Sequence, residues 1–313
     1  MSRSFPDHRL TPHLALLAVQ LMFGSWPIVG KLALRSISST GLVALRVGGA
    51  TIALCLLQGQ LSKLRLMPWK DLGLLGLCAL LGVVANQLLF VNGLALTTVI
   101  NATLLGTTIP VFTLLVSIFL GYDRVSLRRS LGIALAAGGV VYLVNPYQAD
   151  FSAQTTLGNL LIVANSFCYG AYIAISKDLF KRYGALNVIT WIFLFGALVT
   201  VPVGAFALSN DNLQSVPAGV WLAVLYIIIV PTVGAYYLNA WALVRVAPSI
   251  VATYIYLQPL VAFGLAPLIL GERWSARTLG ACLLIFAGVG VVTIHGRSRA
   301  AKGVTEHPDA LAH

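Results

Sequence analysis

The sequence predicts an all-α membrane protein with ten transmembrane helices arranged as two inverted five-helix repeats. Three observations carry this reading. Of the 313 residues, 58% are hydrophobic and only 9% charged, which is too little charge to cover a soluble domain of this size. Ten apolar stretches separated by short links can be drawn along the chain, most of them near the ~20 residues that span a ~30 Å hydrocarbon core. Finally, the chain repeats itself. Phe23-Gly-Ser-Trp-Pro-Ile-Val-Gly-Lys31 and Tyr169-Gly-Ala-Tyr-Ile-Ala-Ile-Ser-Lys177 share a pattern of aromatic, Gly, small, aromatic, apolar residues and Lys. Each copy opens a run of five apolar segments; five is odd, so the second copy enters the bilayer from the opposite side, as in secondary transporters.

Taken in order, the segments are Leu14–Leu34, Gly41–Leu57, Leu72–Leu94, Thr98–Leu120, Ser126–Val144, Leu157–Ser176, Val188–Leu208, Ala218–Leu243, Pro248–Leu270 and Ala276–Ile294. All are read as helices, because lipid offers no partner to an unpaired backbone group. The first is long for the apolar core of a signal peptide, and cleavage would remove half of the repeat, so it reads as a mature helix. The second carries Arg46, roughly six residues past its start and thus ~9 Å down the axis. The fourth and ninth contain Pro110 and Pro259 near mid-helix, and the fifth and tenth are Gly-rich. This divides the chain into an N-terminal tail (1–12), repeats at 13–147 and 156–295, and a polar, disordered tail at 296–313. Cys55, Cys78, Cys168 and Cys282 lie within apolar stretches and read as small buried hydrophobes.

The net charge of +11 does not point to nucleic acid. With the N-terminus cytoplasmic, the inside segments hold fifteen Lys and Arg, among them Arg65, Lys70, Arg128, Arg129, Lys181 and Arg182. The outside holds five, namely Lys31, Arg35, Arg46, Arg273 and Arg277. A positive-inside bias of this size places both termini in the cytoplasm and makes the protein a multi-pass inner-membrane protein.

The halves realign downstream. Pro110-Val-Phe and Pro259-Leu-Val are followed by Leu-Gly-Tyr-Asp123 and Leu-Gly-Glu272, and Asp123-Arg-Val-Ser and Glu272-Arg-Trp-Ser precede the two Gly-rich segments. These residues resemble the drug/metabolite transporter superfamily, and within it the EamA type. The resemblance covers about residues 13–295, with Tyr122-Asp123 standing where the family usually has Gly-Glu. It implies two five-helix repeats and export of amino acids and related metabolites, with aromatic amino-acid exporters as the nearest comparison.

A proline inside a helix deletes one backbone hydrogen bond and frees the carbonyl four residues earlier, here Gly106 for Pro110 and Ile255 for Pro259. Breaks at equivalent places in two repeats point to a substrate site at the midplane, rather than to kinks healed by neighbours. Asn165, Tyr169, Tyr172 and Ser176 share one face of the sixth segment, and its counterpart on the first carries Phe23 and Trp26. The aromatic pairs are expected as opposing walls around a flat or apolar solute, against the plainer reading of packing or an interfacial belt. Asn86, Gln87, Asn101, Thr108, Tyr236, Asn239, Tyr256 and Gln258 complete the candidate site, a neutral hydrogen-bonding pocket spread over four further segments. Arg46 reads first as a structural charge that snorkels or satisfies carbonyls, although its depth makes it a functional suspect. Lys31 and Lys177 read as interfacial anchors more than as gates, and Asp123 and Glu272 as charges at the starts of their own following helices, capped by Ser126 and Ser275.

No metal cluster, cofactor motif or enzyme signature is evident. The expected partners are a small-molecule substrate and the lipid bilayer, with the protein a monomer or homodimer. The expected function is alternating-access movement, most readily export, of a small neutral or zwitterionic solute such as an amino acid. A carrier of phosphorylated or nucleotide-sugar metabolites, or a non-transporting sensor or scaffold, is the alternative; the first would want several mid-membrane cations.

Overall fold

A computed structural model describes residues 11–58, 68–121, 127–144, 154–246, 251 and 254–293. The helices are α1 (Thr11–Ala33), α2 (Ser39–Leu57), α3 (Trp69–Ala79), α4 (Asn86–Leu96), α5 (Val99–Gly106), α6 (Ile109–Phe119) and α7 (Leu127–Val144) in the first half. The second half has α8 (Gln154–Tyr183), α9 (Ala185–Leu208), α10 (Ala218–Ile228), α11 (Ala235–Arg245), α12 (Gln258–Leu270) and α13 (Ala276–Thr293). No strand occurs among the described residues. Both tails beyond these limits, and Tyr122, Asp123 and Ser126, lie outside the described residues; α1 already begins at Thr11, inside the expected tail.

Several helices join end to end into single spans. A π-helical turn at Leu80–Ala85 links α3 to α4, and another at Ile229–Gly234 links α10 to α11. Among the described residues seven stretches are long and apolar enough to cross a membrane unaided, including Asp71–Leu96, Val99–Phe119 and Ala218–Arg245. With α7 and the shorter apolar helices at Tyr254–Leu270 and Ala276–Gly288, these make ten helical spans among the described residues. Lipid-facing positions are apolar, as at Phe119 (89% exposed) and Leu268 (81%), which no aqueous surface would favour.

Each half packs against the other in a pattern that respects the repeat. The second helices of the two halves, α2 and α9, pack together, as do the last helices, α7 and α13. The first helices cross over: α1 packs on α10, α11 and α12, and α8 on α3, α4, α5 and α6. The shared glycine after the leading aromatic is explained by this crossing. A Cβ on Gly24 would stand 2.9 Å from Val261, two residues past Pro259, and one on Gly170 would stand 2.9 Å from the Ile109 carbonyl, beside Pro110. Only glycine lets the first helix of each half lie this close to the broken helix of the other. A further close crossing joins α4 to α8, where a Cβ on Gly158 would meet the Gly93 carbonyl and the Thr97 nitrogen at 2.9 Å.

Pro110 and Pro259 do not lie within continuous helices, as the mid-helix reading had them; they start new ones. Both sit in the first turn of their helix, α6 and α12, where a missing N–H costs nothing. Ahead of Pro110, Thr107 and Thr108 close tight turns onto the Leu104 and Leu105 carbonyls; ahead of Pro259, Tyr254–Leu257 is a 3-10 turn.

Candidate functional site

The broken span α5–α6 borders a central cavity of about 560 Å³, open mouth included. Its walls come from both halves. Phe23, Trp26 and Pro27 of α1, Arg46 of α2, Asn86, Gln87 and Phe90 of α4, and Ala102, Thr103, Gly106 and Ile109 from either side of the break line it from the first half. The second half contributes Asn165 and Tyr169 of α8, Tyr236 of α11 and Gln258 of α12. Pro110 has no N–H to return to Gly106, so a backbone carbonyl belonging to the wall lacks its helical donor.

The aromatic lining combines two edge contacts with one tilted pair. Phe23 meets Tyr236 at 5.8 Å between centroids and 82°, Tyr169 meets Tyr236 at 6.3 Å and 71°, and Trp26 leans on Phe90 at 6.0 Å. The amides are held in place. Gln87 donates from Nε2 to the Tyr236 hydroxyl at 2.9 Å, Asn165 donates to the Asn86 carbonyl at 2.8 Å, and Gln258 donates to Gln20 Oε1 at 2.7 Å. Fixed rotamers of this kind let a pocket recognise a polar ligand without ordering itself first.

Arg46 is 2% exposed and ends in this wall. Its Nε donates to Thr232 Oγ1 at 2.6 Å, its Nη1 donates to Gln87 Oε1 at 2.7 Å, and its guanidinium lies 4.0 Å over the Trp26 ring. It therefore does not snorkel to the interface. Thr232 can face Arg46 because the π turn places it there; its hydroxyl donates in turn to the Ile227 carbonyl, five residues back.

The structure brings together Phe23, Trp26, Asn86, Gln87, Asn165, Tyr169, Tyr236 and Gln258. It places five other expected residues off the wall. Tyr172 packs its ring against Gly82, Tyr169 and Phe180, because α8 crosses the π turn one helical turn below the cavity. Tyr256, in the 3-10 turn, packs against Phe286 of α13. The Thr108 hydroxyl turns back onto the Leu105 carbonyl, Asn101 lies on the half-buried face of α5, and Asn239 is buried beyond Tyr236 on α11. The lining residues that the sequence did not single out are Pro27, Phe90, Ala102, Thr103 and Ile109; the last three flank the break, and sequence cannot phase the turns around it.

Two of the charged residues depart from the readings given above. Lys31 reaches the carbonyls of Leu94 (2.6 Å), Ala95 (3.2 Å) and Thr97 (2.6 Å) at the C-terminus of α4. Glu272 does not serve its own following helix; Ser275 caps that, accepting from the Thr278 amide at 3.0 Å. Instead the Glu272 carboxylate crosses to the first half and accepts from the amides of Val99 (2.7 Å) and Ile100 (3.0 Å) at the N-terminus of α5. The α4–α5 junction is thus clamped by a cation on a helix C-terminus and an anion on a helix N-terminus, each of the sign its dipole favours. At the repeat-related junction Lys177 makes one contact of 3.5 Å to the Val246 carbonyl, while Asp123 lies outside the described residues.

Comparison with known proteins agrees with this architecture. The EamA-like transporter family matches residues 10–145 and again 156–294. The uncharacterized transporter YetK of Bacillus subtilis is 27% identical over 286 residues, covering 90% of this chain and 86% of that protein. The probable terminal-alkyne amino-acid exporter of Streptantibioticus cattleyicolor is 26% identical, over 92% and 95% of the two chains. A solved crystal structure superposes with a TM-score of 0.63 at 23% identity, covering 92% of this chain and 99% of the other, and shows the shared fold. With two family matches that together span nearly the whole of a ten-helix chain, this protein belongs to the EamA-like transporter family.

Proposed function

We propose that the protein carries a small neutral or zwitterionic organic solute, amino acids or related metabolites with aromatic ones among them, across the inner membrane by alternating access, in the direction of export. The observation that carries this reading is the central cavity: it is walled by both repeats, abuts a broken helix, and combines aromatic faces with fixed amides. Such a lining suits a solute with one apolar and one hydrogen-bonding end. Arg46, the single cation in the lining among the described residues, disfavours a multiply charged phosphate cargo. The similarity to an amino-acid exporter supports the solute class. The charge bias supports an orientation with both termini inside, in which Lys31 and Glu272 stand at the outer face. The Glu272 bonds to α5, which join the two halves, then close the outer exit, and rocking of the halves about the cavity breaks them.

The test is reconstitution. Proteoliposomes loaded with radiolabelled phenylalanine, tryptophan or leucine are expected to release solute faster than protein-free vesicles, with saturation. Release no faster than leak, over a wide amino-acid panel, overturns the reading.

A further inference from the structure

We infer that Arg46 is a carboxylate-binding subsite, so that the cargo must carry a free carboxylate and solutes bearing only an amine or amide are rejected. This rests on the transporter reading above and narrows it to one chemical class.

A guanidinium offers five N–H donors in a planar fork. In Arg46 one at Nε and one at Nη1 are taken by Thr232 and Gln87. The remaining Nη1 hydrogen and both at Nη2 have no acceptor among the described residues, and the group lines the cavity. Among the described residues no carboxylate balances the charge. Of the acids among the described residues, Asp71 pairs with Arg182 and Tyr183, Asp211 accepts from the Ser38 amide, and Glu272 holds α5. Asp178 lies on the last turns of α8, beyond Lys177. The titratable side chains that share the cavity lining with Arg46 among the described residues are two phenols, Tyr169 and Tyr236. A buried cation without a counter-charge at membrane depth is costly. Its partners here, a hydroxyl, an amide oxygen and an indole face, are all neutral. An anion entering the cavity supplies what is missing, and the free edge of the fork matches the two oxygens of a carboxylate.

The rest of the wall says what stands beside that carboxylate. Among the described residues the lining has no Asp, Glu or His to hold an amine as an ion pair. An α-ammonium would meet the Gly106 carbonyl, the amide oxygens and the aromatic faces, all of them weaker than the fork. The carboxylate is therefore the essential handle and the amine an accessory one. A single fixed charge also matches a monoanion better than a phosphate dianion.

The experiment is ligand binding to the purified full-length protein, read by thermal shift and by calorimetry. The probes are L-phenylalanine, L-tryptophan and L-leucine, the three matching amino-acid amides, 3-phenylpropionate and phenethylamine. At least one free acid is expected to bind at least tenfold more tightly than its amide, and 3-phenylpropionate more tightly than phenethylamine. Arg46→Gln should lose the difference. Because that variant could misfold, Gln87→Glu is the second: it sets an internal carboxylate against the fork, keeps a partner for the Tyr236 hydroxyl, and should fold while binding free acids at least tenfold more weakly. Amides or amines that bind as well as acids, no binding by any probe, or Gln87→Glu retaining wild-type affinity would each overturn the inference. The two readings fail separately. Liposomes that move amides and acids alike leave a transporter without this subsite, and carboxylate binding without flux leaves the subsite in a protein that is not a carrier.

Discussion

Removing the Glu272 carboxylate should open the outer face. In Glu272→Ala the amides of Val99 and Ile100 lose acceptors at 2.7 and 3.0 Å. A buried donor left without an acceptor costs about 1–3 kcal/mol, and loss of a charge at a helix N-terminus about 0.3–1 kcal/mol more. Glu272 is half-buried, so water restores part of both, and a net penalty of about 2 kcal/mol on the clamped state is expected. At about 1.4 kcal/mol per factor of ten, this shifts the balance toward the outward-open form roughly 30-fold. Glu272→Gln keeps an acceptor oxygen and loses only the charge, so about fivefold is expected. The assay is labelling of a single cysteine at Thr103, a cavity residue 3% exposed, after removal of Cys55, Cys78, Cys168 and Cys282. An impermeant maleimide is applied to intact cells and the rate is measured. Asp71→Asn, which breaks the ion pair to Arg182 at the opposite end, serves as the control and should not raise the rate. A rate in Glu272→Ala within twofold of the parent would refute the clamp as a gate.

Other expectations follow from the same geometry. A cysteine in the Asn210–Ser215 loop should be labelled from outside and one near Lys181 should not; the reverse pattern would invert the assignment of sides. Tyr236→Phe leaves the Gln87 amide without its 2.9 Å acceptor and should lower both Tm and solute affinity, by about 1–3 kcal/mol, whereas Tyr172→Phe, whose ring packs outside the cavity, should match wild type in both. Gly158→Ala forces a methyl against the Gly93 carbonyl and should destabilise the α4–α8 crossing by about 1–3 kcal/mol, read as a lower midpoint in detergent melts. With no Asp, Glu or His in the cavity lining among the described residues, efflux should run down a solute gradient with no imposed pH difference; strict dependence on a proton gradient, abolished by one titratable substitution, would contradict it.

How far the sequence could be read depended on what the bilayer enforces. Lipid obliges every span to be helical and apolar, so the ten segments stood out, and Phe23 and Tyr169 were found because a repeated aromatic at a fixed distance from Gly and Lys is a pattern. Phase within a span was harder. Tyr172 shares a helical face with Tyr169, yet α8 leaves the cavity between them. Asn101 and Thr108 straddle a break whose turn at Thr107–Thr108 resets the direction of every later side chain. Pro231 is a clue to the second π turn, but nothing in Leu80–Ala85 announces the first. Glu272 looked like a local cap because its true partners, Val99 and Ile100, lie in the other half of the chain.

The two π turns bear on how such a chain arose. A π turn is one surplus residue in a helix, and here the surplus occurs in the third span of both halves, ending two residues before Gln87 in one and two before Tyr236 in the other. Those two side chains are bonded to each other, so the pair straddles the pseudo-twofold axis. The economical history is that a half-length ancestor already carried the insertion, and that two copies of it, lying antiparallel, met at this residue before the gene doubled. In such a homodimer both ends of any cargo would face identical groups. Fusion released that constraint: Arg46 stands eighth in α2, and the eighth position of α9 is Ile192. A repeated framework with a cation in one half and an isoleucine at the same helical position in the other can present different groups to the head and the tail of a solute, as the proposed subsite requires.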